Sequence, residues 1–224
     1  MDRRNWSSTS WHFQPDLNPE YNALMLETLM QNLKIFPLTR PRPDPSSDVA
    51  HAAVLLLLCG PAEDPSILLT QRSNQVNHHP GEVAFPGGMW EVDDGDLLMT
   101  ALREAEEEIG VEVGAVDPLA TLPDASPMRG RVTVTPFVGL MQSDGALIPA
   151  PAEIAAIFRV PVRYLLEPKN YGYFTFEHQA KNYRLPHLDF AGYRVWGFTL
   201  KVLVDMLNAS MSAAIDLDYP KLPS

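Results

Sequence analysis

Three glutamates, Glu104, Glu107 and Glu108, stand at positions i, i+3 and i+4 of Leu97 to Ile109, a stretch rich in good helix formers. On a helix those spacings set three carboxylates on one face. Like charges so placed repel and destabilise the helix, so the arrangement calls for compensation. A bound divalent cation supplies it, and carboxylate oxygens suit hard cations such as Mg²⁺ or Mn²⁺. Arg103 reaches Glu107 at i+4 and would fix that carboxylate. Gly87 and Gly88, after Pro86, permit unusual backbone dihedrals and close approach to a ligand, and a loop carbonyl from there is a further candidate metal ligand. A phosphorylated substrate would meet the cation rather than the acids, because the metal reverses the local sign. An acid-rich helix taken alone is most often a solvated face. The Gly-Gly loop before this one and the Gly110-Val111 stop after it set it apart.

Charge is distributed in keeping with that reading. The chain of 224 residues carries a net charge of −11, from 28 acids and 17 bases. Between Glu91 and Glu112 lie nine acids and a single base, Arg103, a net of −8. Most of the acidity is therefore gathered at one place. It argues against nucleic acid and anionic membranes as partners, which long-range repulsion would hold off, and leaves a small phosphorylated molecule. A hydrophobic content of 46% is enough for a real core. The single cysteine, Cys59, excludes an internal disulfide framework and fits a reducing cytoplasm. Met1 to Ser7 has no apolar run of the signal-peptide kind, and the longest apolar run, Ala52 to Cys59, is far short of the roughly 20 residues of a spanning helix. The expectation is a cytoplasmic protein.

The elements that must hold the acids can be read around them. Pro19 to Ile35 has Leu26, Leu29, Met30 and Leu33 at helical spacing, with Asn18 as a cap. Pro37 to Ser47, with four prolines, reads as a stiff linker. Residues 1–47 thus form a helical appendage with its linker, serving as a dimerisation arm, a lid or a tether, and a homodimer stays open. A main domain follows over 48–208. Ala52–Leu58 reads as a central strand, Ile67–Thr70 as its hairpin partner, and Glu82–Phe85 as a short strand. Leu97–Ile109 is a helix with Asp96 as N-cap and Gly110 past its end. Val132–Leu140, Ile154–Val160 and Tyr171–Phe176 read as strands, Trp196–Leu207 as an amphipathic helix, and residues 209–224 as a loose tail. Strands on both sides of a helix point to an α/β or α+β fold with a mixed sheet.

The segment from Gly88 to Val111 resembles the Nudix box, Gly-x5-Glu-x7-Arg-Glu-U-x-Glu-Glu-x-Gly-U, where U is aliphatic or small. Arg103, Glu104, Ala105, Glu107, Glu108, Gly110 and Val111 match its second half. The first half departs: the sixth residue after Gly88 is Asp94, not Glu, and eight residues separate it from Arg103. The same departure occurs in the coenzyme A pyrophosphatase-like branch. That branch's upstream signature is matched by Leu68-Leu69-Thr70-Gln71-Arg72-Ser73, a loop from Asn74 to Pro80, and Gly81-Glu82-Val83-Ala84-Phe85-Pro86-Gly87-Gly88. Asn77 stands where that branch commonly has a base, and His78 and His79 are the loop's own offering.

The resemblance implies an α/β/α sandwich with a mixed central sheet and a metal-dependent pyrophosphohydrolase, with Mg²⁺ or Mn²⁺ as cofactor. It implies Glu104, Glu107, Glu108 and the Gly87 carbonyl as metal ligands, and Arg103 as the holder of the carboxylates. Arg72, Ser73, Gly88 and His79 are the substrate contacts, and Glu153, from a later loop, the candidate general base. Coenzyme A or a derivative is the leading substrate, yielding 3′,5′-ADP and 4′-phosphopantetheine. ADP-ribose or NADH is an alternative, and a non-catalytic nucleotide sensor another. Tyr193, Trp196 and Phe198 are aromatic candidates for stacking an adenine, although aromatic residues entering a helix more often belong to the core.

Overall fold

The computed structural model describes residues 25–126, 132–142, 145–178 and 181–220. The elements are α1 (Met25–Leu33), β1 (Ala50–Cys59), β2 (Ser66–Arg72), β3 (Val83–Ala84), β4 (Gly87–Met89), α2 (Leu97–Ile109), β5 (Val116–Thr121), β6 (Val132–Met141), β7 (Ile154–Pro161), α3 (Val162–Leu165), β8 (Tyr171–His178), β9 (Lys181–Phe190), β10 (Tyr193–Trp196) and α4 (Gly197–Met211). The start of the expected N-terminal helix, with its cap Asn18, lies outside the described residues, as do residues 221–224 of the tail.

A seven-stranded mixed sheet forms the centre, in the order β3-β2-β1-β6-β5, with β4 also on β1 and β7 also on β2. β1 runs parallel to β6, Ala53 opposite Thr135 and Leu57 opposite Gly139, while β2 and β4 pair with β1 antiparallel. The unbroken apolar run of β1 follows from its position, because both faces are covered. Leu56 and Leu58 enter one core with α1 and α4; Ala53, Leu55 and Leu57 enter another with α2. Helices on both faces of a mixed sheet give the expected α/β/α sandwich. A three-stranded antiparallel sheet, β10-β9-β8, adds to the α1/α4 side, with Leu188 and Val195 in that core.

α2 has the predicted bounds. Asp96 accepts a hydrogen bond from Met99 N–H at its start, and Gly110 ends it in the left-handed region at φ 72°. Leu97, Leu98, Ala101, Leu102, Ala105 and Ile109 are buried and seat it on β1. Each buried Leu or Ile contributes about 1.5–3 kcal/mol.

At the N-terminal side Met25, Leu29 and Leu33 of α1 enter the same core as α4. The proline-rich segment after it lies along the sheet and helix: Thr39 N–H donates to Thr121 Oγ1 (2.8 Å), and Thr121 Oγ1 donates to Thr39 O (3.1 Å). At the other end, α4 continues to Met211, past the expected Leu207, because Leu207 and Ser210 remain buried against the core. Ile215 is buried beyond it, and the Asn208 side chain bonds both Ile215 N and O at 2.8 Å, so this part of the tail folds back on α4.

Candidate active site

The three glutamates of α2 occupy three environments. Glu107 is exposed, Glu104 half-buried, and Glu108 buried at 3% exposure. Their mutual repulsion is met by two arginines from different parts of the chain. Arg103 Nη1 lies 3.0 Å from Glu104 Oε1 and 3.0 Å from Glu107 Oε2. Arg72, at the end of β2, places Nη1 3.5 Å from Glu108 Oε1 and donates from Nε to His78 O at 3.4 Å. The expected Arg103–Glu107 contact is present; the Arg72–Glu108 contact joins residues that no sequence periodicity links.

The glycines close the other side. Gly87 N–H donates to Glu108 Oε2 (3.2 Å). Gly87 takes φ +154°, and a Cβ there would strike the β1 backbone at Ala53 O and come within 2.7 Å of Val54 Cα. Only glycine lets β4 pair this way. At Gly88 a Cβ would run into the Glu104 carboxylate, so the absent side chain is the space in which Glu104 stands.

Glu153 comes to the site on a loop anchored at both ends. Ile148 N–H and Ala150 N–H donate to the last carbonyls of α2, Ile109 O and Glu108 O, at 2.9 Å each. Ser73 N–H donates to Glu153 O at 2.6 Å. The Glu153 side chain is exposed, and its charge acts on both Glu104 and Glu108. Ser73 is brought in with it, but its hydroxyl accepts from Gln75 N–H in a local turn. His79 is exposed, with Nδ1 3.0 Å from Glu82 Oε2, so its ring is engaged on its own loop rather than with the glutamates.

Burial dominates the electrostatics. It pushes the Glu108 carboxyl up to about 7, against the pull of Gly87 N–H and Arg72, and the charges of Glu104 and Glu153 push it further. Glu104 is raised as well, first by burial, with Arg103 opposing and Glu107 and Glu153 adding. The hydrogen bonds of Asp94 hold Arg103 firmly protonated.

Asp94, which departs from the box pattern, is held in place by Arg103. It accepts from Arg103 Nε (2.6 Å) and Nη2 (3.1 Å), from Thr100 Oγ1 (2.9 Å) and from Glu91 N–H (3.0 Å). Burial would raise its pKa, yet those bonds together hold it below the ordinary value. Thr100, fully buried on α2, was not visible as a site residue, because a threonine on a helix face carries no pattern of its own.

These oxygens are a donor set for a hard cation: two carboxylates pushed toward protonation by burial and like charge are groups that a divalent ion would stabilise as anions. Among the described residues, no three His, Cys, Asp or Glu side chains are already gathered into a metal cluster, and Arg103 sits between Glu104 and Glu107 instead. Tyr193 stacks on Phe158 at 4.0 Å between ring centroids and packs against the core, as does Phe198. Trp196 lies edge-on to Phe174 at 5.6 Å. Among the described residues, no helix is long and apolar enough to cross a membrane.

The family model described as the NUDIX domain matches residues 49–178. The chain is 37% identical over 159 residues to an uncharacterized Nudix hydrolase, NudL, of Photorhabdus laumondii, covering 70% of this chain and 83% of that one. It is 34% identical over 178 residues to its namesake in Yersinia enterocolitica, covering 79% and 90%. Among solved structures, a MutT/nudix family protein from Enterococcus faecalis superposes with TM-score 0.49 at 15% identity, over 89% of this chain and 76% of that one. The NUDIX domain of Shewanella oneidensis NrtR, solved with ADP ribose, superposes with TM-score 0.44 at 22% identity, over 55% and 81%. The domain match, which spans the helix and loops just described, and the NudL relatives show that the chain belongs to the Nudix hydrolase family.

Proposed function

We propose that this Nudix hydrolase of nucleoside diphosphate derivatives cleaves the diphosphate of coenzyme A or its derivatives, giving 3′,5′-ADP and 4′-phosphopantetheine, with residues 48–208 as the catalytic unit. The observation that supports it is the junction of two motifs. The upstream signature, Leu68–Ser73 with Gly81–Gly88, ends against the α2 glutamates: Arg72 meets Glu108, Gly87 N–H meets Glu108, and Gly88 makes room for Glu104. The residues that mark the branch and those that mark the chemistry thus meet at one place.

In this reading Glu104, Glu107, Glu108 and the Gly87 carbonyl hold Mg²⁺ or Mn²⁺. Such an ion neutralises phosphate oxygens and lowers the pKa of bound water. Arg103 orients Glu104 and Glu107. Glu153, exposed beside the buried carboxylates, takes the proton from the attacking water. Arg72, Ser73, Gly88 and His79 contact the substrate, the arginine pairing with a phosphate.

One observation favours a second reading, hydrolysis of ADP-ribose or NADH: the loop has Asn77 where the coenzyme A branch commonly has a base. The test is turnover of coenzyme A, an acyl derivative, ADP-ribose and NADH, each with Mn²⁺, Mg²⁺ or EDTA, with products separated by anion exchange. Metal-dependent release of 3′,5′-ADP is the expected result. Brisk ADP-ribose turnover without coenzyme A cleavage overturns the assignment in favour of the second reading.

A further inference from the structure

We infer that Arg40, in the proline-rich strap ahead of the family domain, is a positioning residue for the α2 carboxylates, acting through a chain of hydrogen bonds that ends on Glu104 and Glu107. The inference rests on the reading of those glutamates as ligands of a divalent cation.

The links can be followed one by one. Arg40 Nε lies 3.0 Å from Asp96 Oδ2, and Asp96 is the buried N-cap of α2. Asp96 N–H donates to Asp94 O at 2.9 Å. The Thr100 hydroxyl lies against both residues, 3.4 Å from Asp96 O and 2.9 Å from Asp94 Oδ2. Asp94 then grips Arg103 at two points, and Arg103 Nη1 touches Glu104 and Glu107. Each inner member is wholly or partly buried; the two ends, Arg40 and Glu107, are largely exposed, at 56% and 59% of their side chains. A network of this kind holds its members in one arrangement because each acceptor left unpaired inside would be costly.

The strap is fixed independently of that side chain. Pro41 O accepts from Leu97 N–H (2.9 Å), satisfying one of the free donors at the helix start. Thr39 and Thr121 pin the strap to β5. Removing the Arg40 side chain therefore leaves the strap in place and takes away only the cation that faces Asp96. With its arginine largely exposed to solvent, the pair adds only about 1 kcal/mol to stability. Its effect falls on the orientation of Asp96 and of the acids beyond it. Asp96 without its cation is drawn to the helix N-terminus alone, which loosens the Asp96–Thr100–Asp94 corner and hence Arg103. Part of the N-terminal segment thereby acquires a defined task.

The experiment uses the full chain. Mn²⁺ binding is measured by calorimetry for wild type, Arg40→Ala and Arg40→Lys, together with Tm in EDTA. Arg40→Ala is expected to weaken Mn²⁺ binding by roughly three- to tenfold, below the ~10–100-fold that losing a direct hydrogen-bond partner of a ligand costs, because Arg40 acts through intervening residues. Its Tm should stay within about 3 °C of wild type. Arg40→Lys, which keeps the charge for a single-point contact, should recover most of the affinity. Unchanged Mn²⁺ affinity in Arg40→Ala overturns the inference whatever the Tm does, since a purely structural strap would move only the Tm. Failure of wild type to bind Mn²⁺ overturns the metal-site reading itself and this inference with it.

Discussion

Arg103 grips Asp94 at two points, Nε to Oδ1 at 2.6 Å and Nη2 to Oδ2 at 3.1 Å, across nine residues of sequence. The pair ties the 91–94 turn to the middle of α2, and the remaining guanidinium nitrogen is the one between Glu104 and Glu107. Asp94→Asn keeps the shape and removes the charge. It should lower unfolding free energy by about 1–3 kcal/mol, the usual loss when a hydrogen bond to a charged group goes, as read by urea denaturation. Turnover should fall by more than the lost stability explains, because Arg103 is then free to rotate off the glutamates. Full activity in Asp94→Asn would show that the clasp does not serve the site.

The raised pKa of Glu108 gives the metal-free protein a distinct pH dependence. Between its ordinary value near 4.5 and about 7, the folded state keeps a proton that the unfolded state has lost. Stability of the EDTA-treated protein should therefore fall as pH rises through that interval and level off above it. Glu108→Gln removes the ionisation, so its Tm should vary less over pH 4.5–7 and exceed that of wild type at pH 8 in EDTA. Saturating Mn²⁺ should reverse the wild-type trend, since a cation rewards the ionised form. A Tm for metal-free wild type that rises from pH 5 to pH 7 would contradict the assignment of this proton to Glu108.

Gly87 and Gly88 should fail in different ways when given a methyl group. Gly87→Ala drives Cβ into the backbone of β1, which cannot step aside, so a loss of roughly 1–3 kcal/mol or more is expected. Gly88→Ala meets the end of the Glu104 side chain, which can move. That variant should keep nearly its full Tm and lose activity, because the atom that yields is a proposed ligand. Thermal melts beside coenzyme A turnover separate the two; equal Tm losses would refute the distinction.

Glu107 and Glu153 are both exposed, so both can be changed without harming the fold. Glu107→Gln should bind Mn²⁺ more weakly and lose more than about 100-fold in turnover, as expected where a metal ligand carries several kcal/mol of charge stabilisation. Glu153→Gln should leave Mn²⁺ affinity nearly unchanged and lower kcat by about 10²–10⁴. An unaltered kcat in Glu153→Gln would move the proton-transfer role to another residue.

What the sequence shows and what it hides divide along the range of the interactions. α2 was legible to the residue, because Asp96, Gly110 and the apolar spacing all act within a few positions. β1 and β2 were legible from their apolar runs. β9 was not: Lys181 to Phe190 mixes charge and aromatics, and Pro186 argues against a strand, yet it pairs opposite Tyr173. β5 hid behind Pro118, where its register with β6 shifts. In the site, the i+4 contact of Arg103 with Glu107 could be read from helix geometry. Arg72 on Glu108 and Arg40 on Asp96 could not, since each depends on where two distant segments cross the sheet.

The parallel pairing of β1 with β6 has a bearing on how the molecule comes to exist. β1 is the strand on which β2, β4 and β6 all converge, but its β6 partner is some 80 residues further along the chain. A ribosome emits β1, β2 and the whole of α2 well before that partner. Until β6 arrives, a ten-residue apolar strand presents an unpaired edge, the kind of surface that recruits other chains. Fragments ending before Val132 should accordingly aggregate. In refolding, closure of this long-range pair is the step that a high contact order makes slow, and α2 gains its lasting seat on β1 only once it is made.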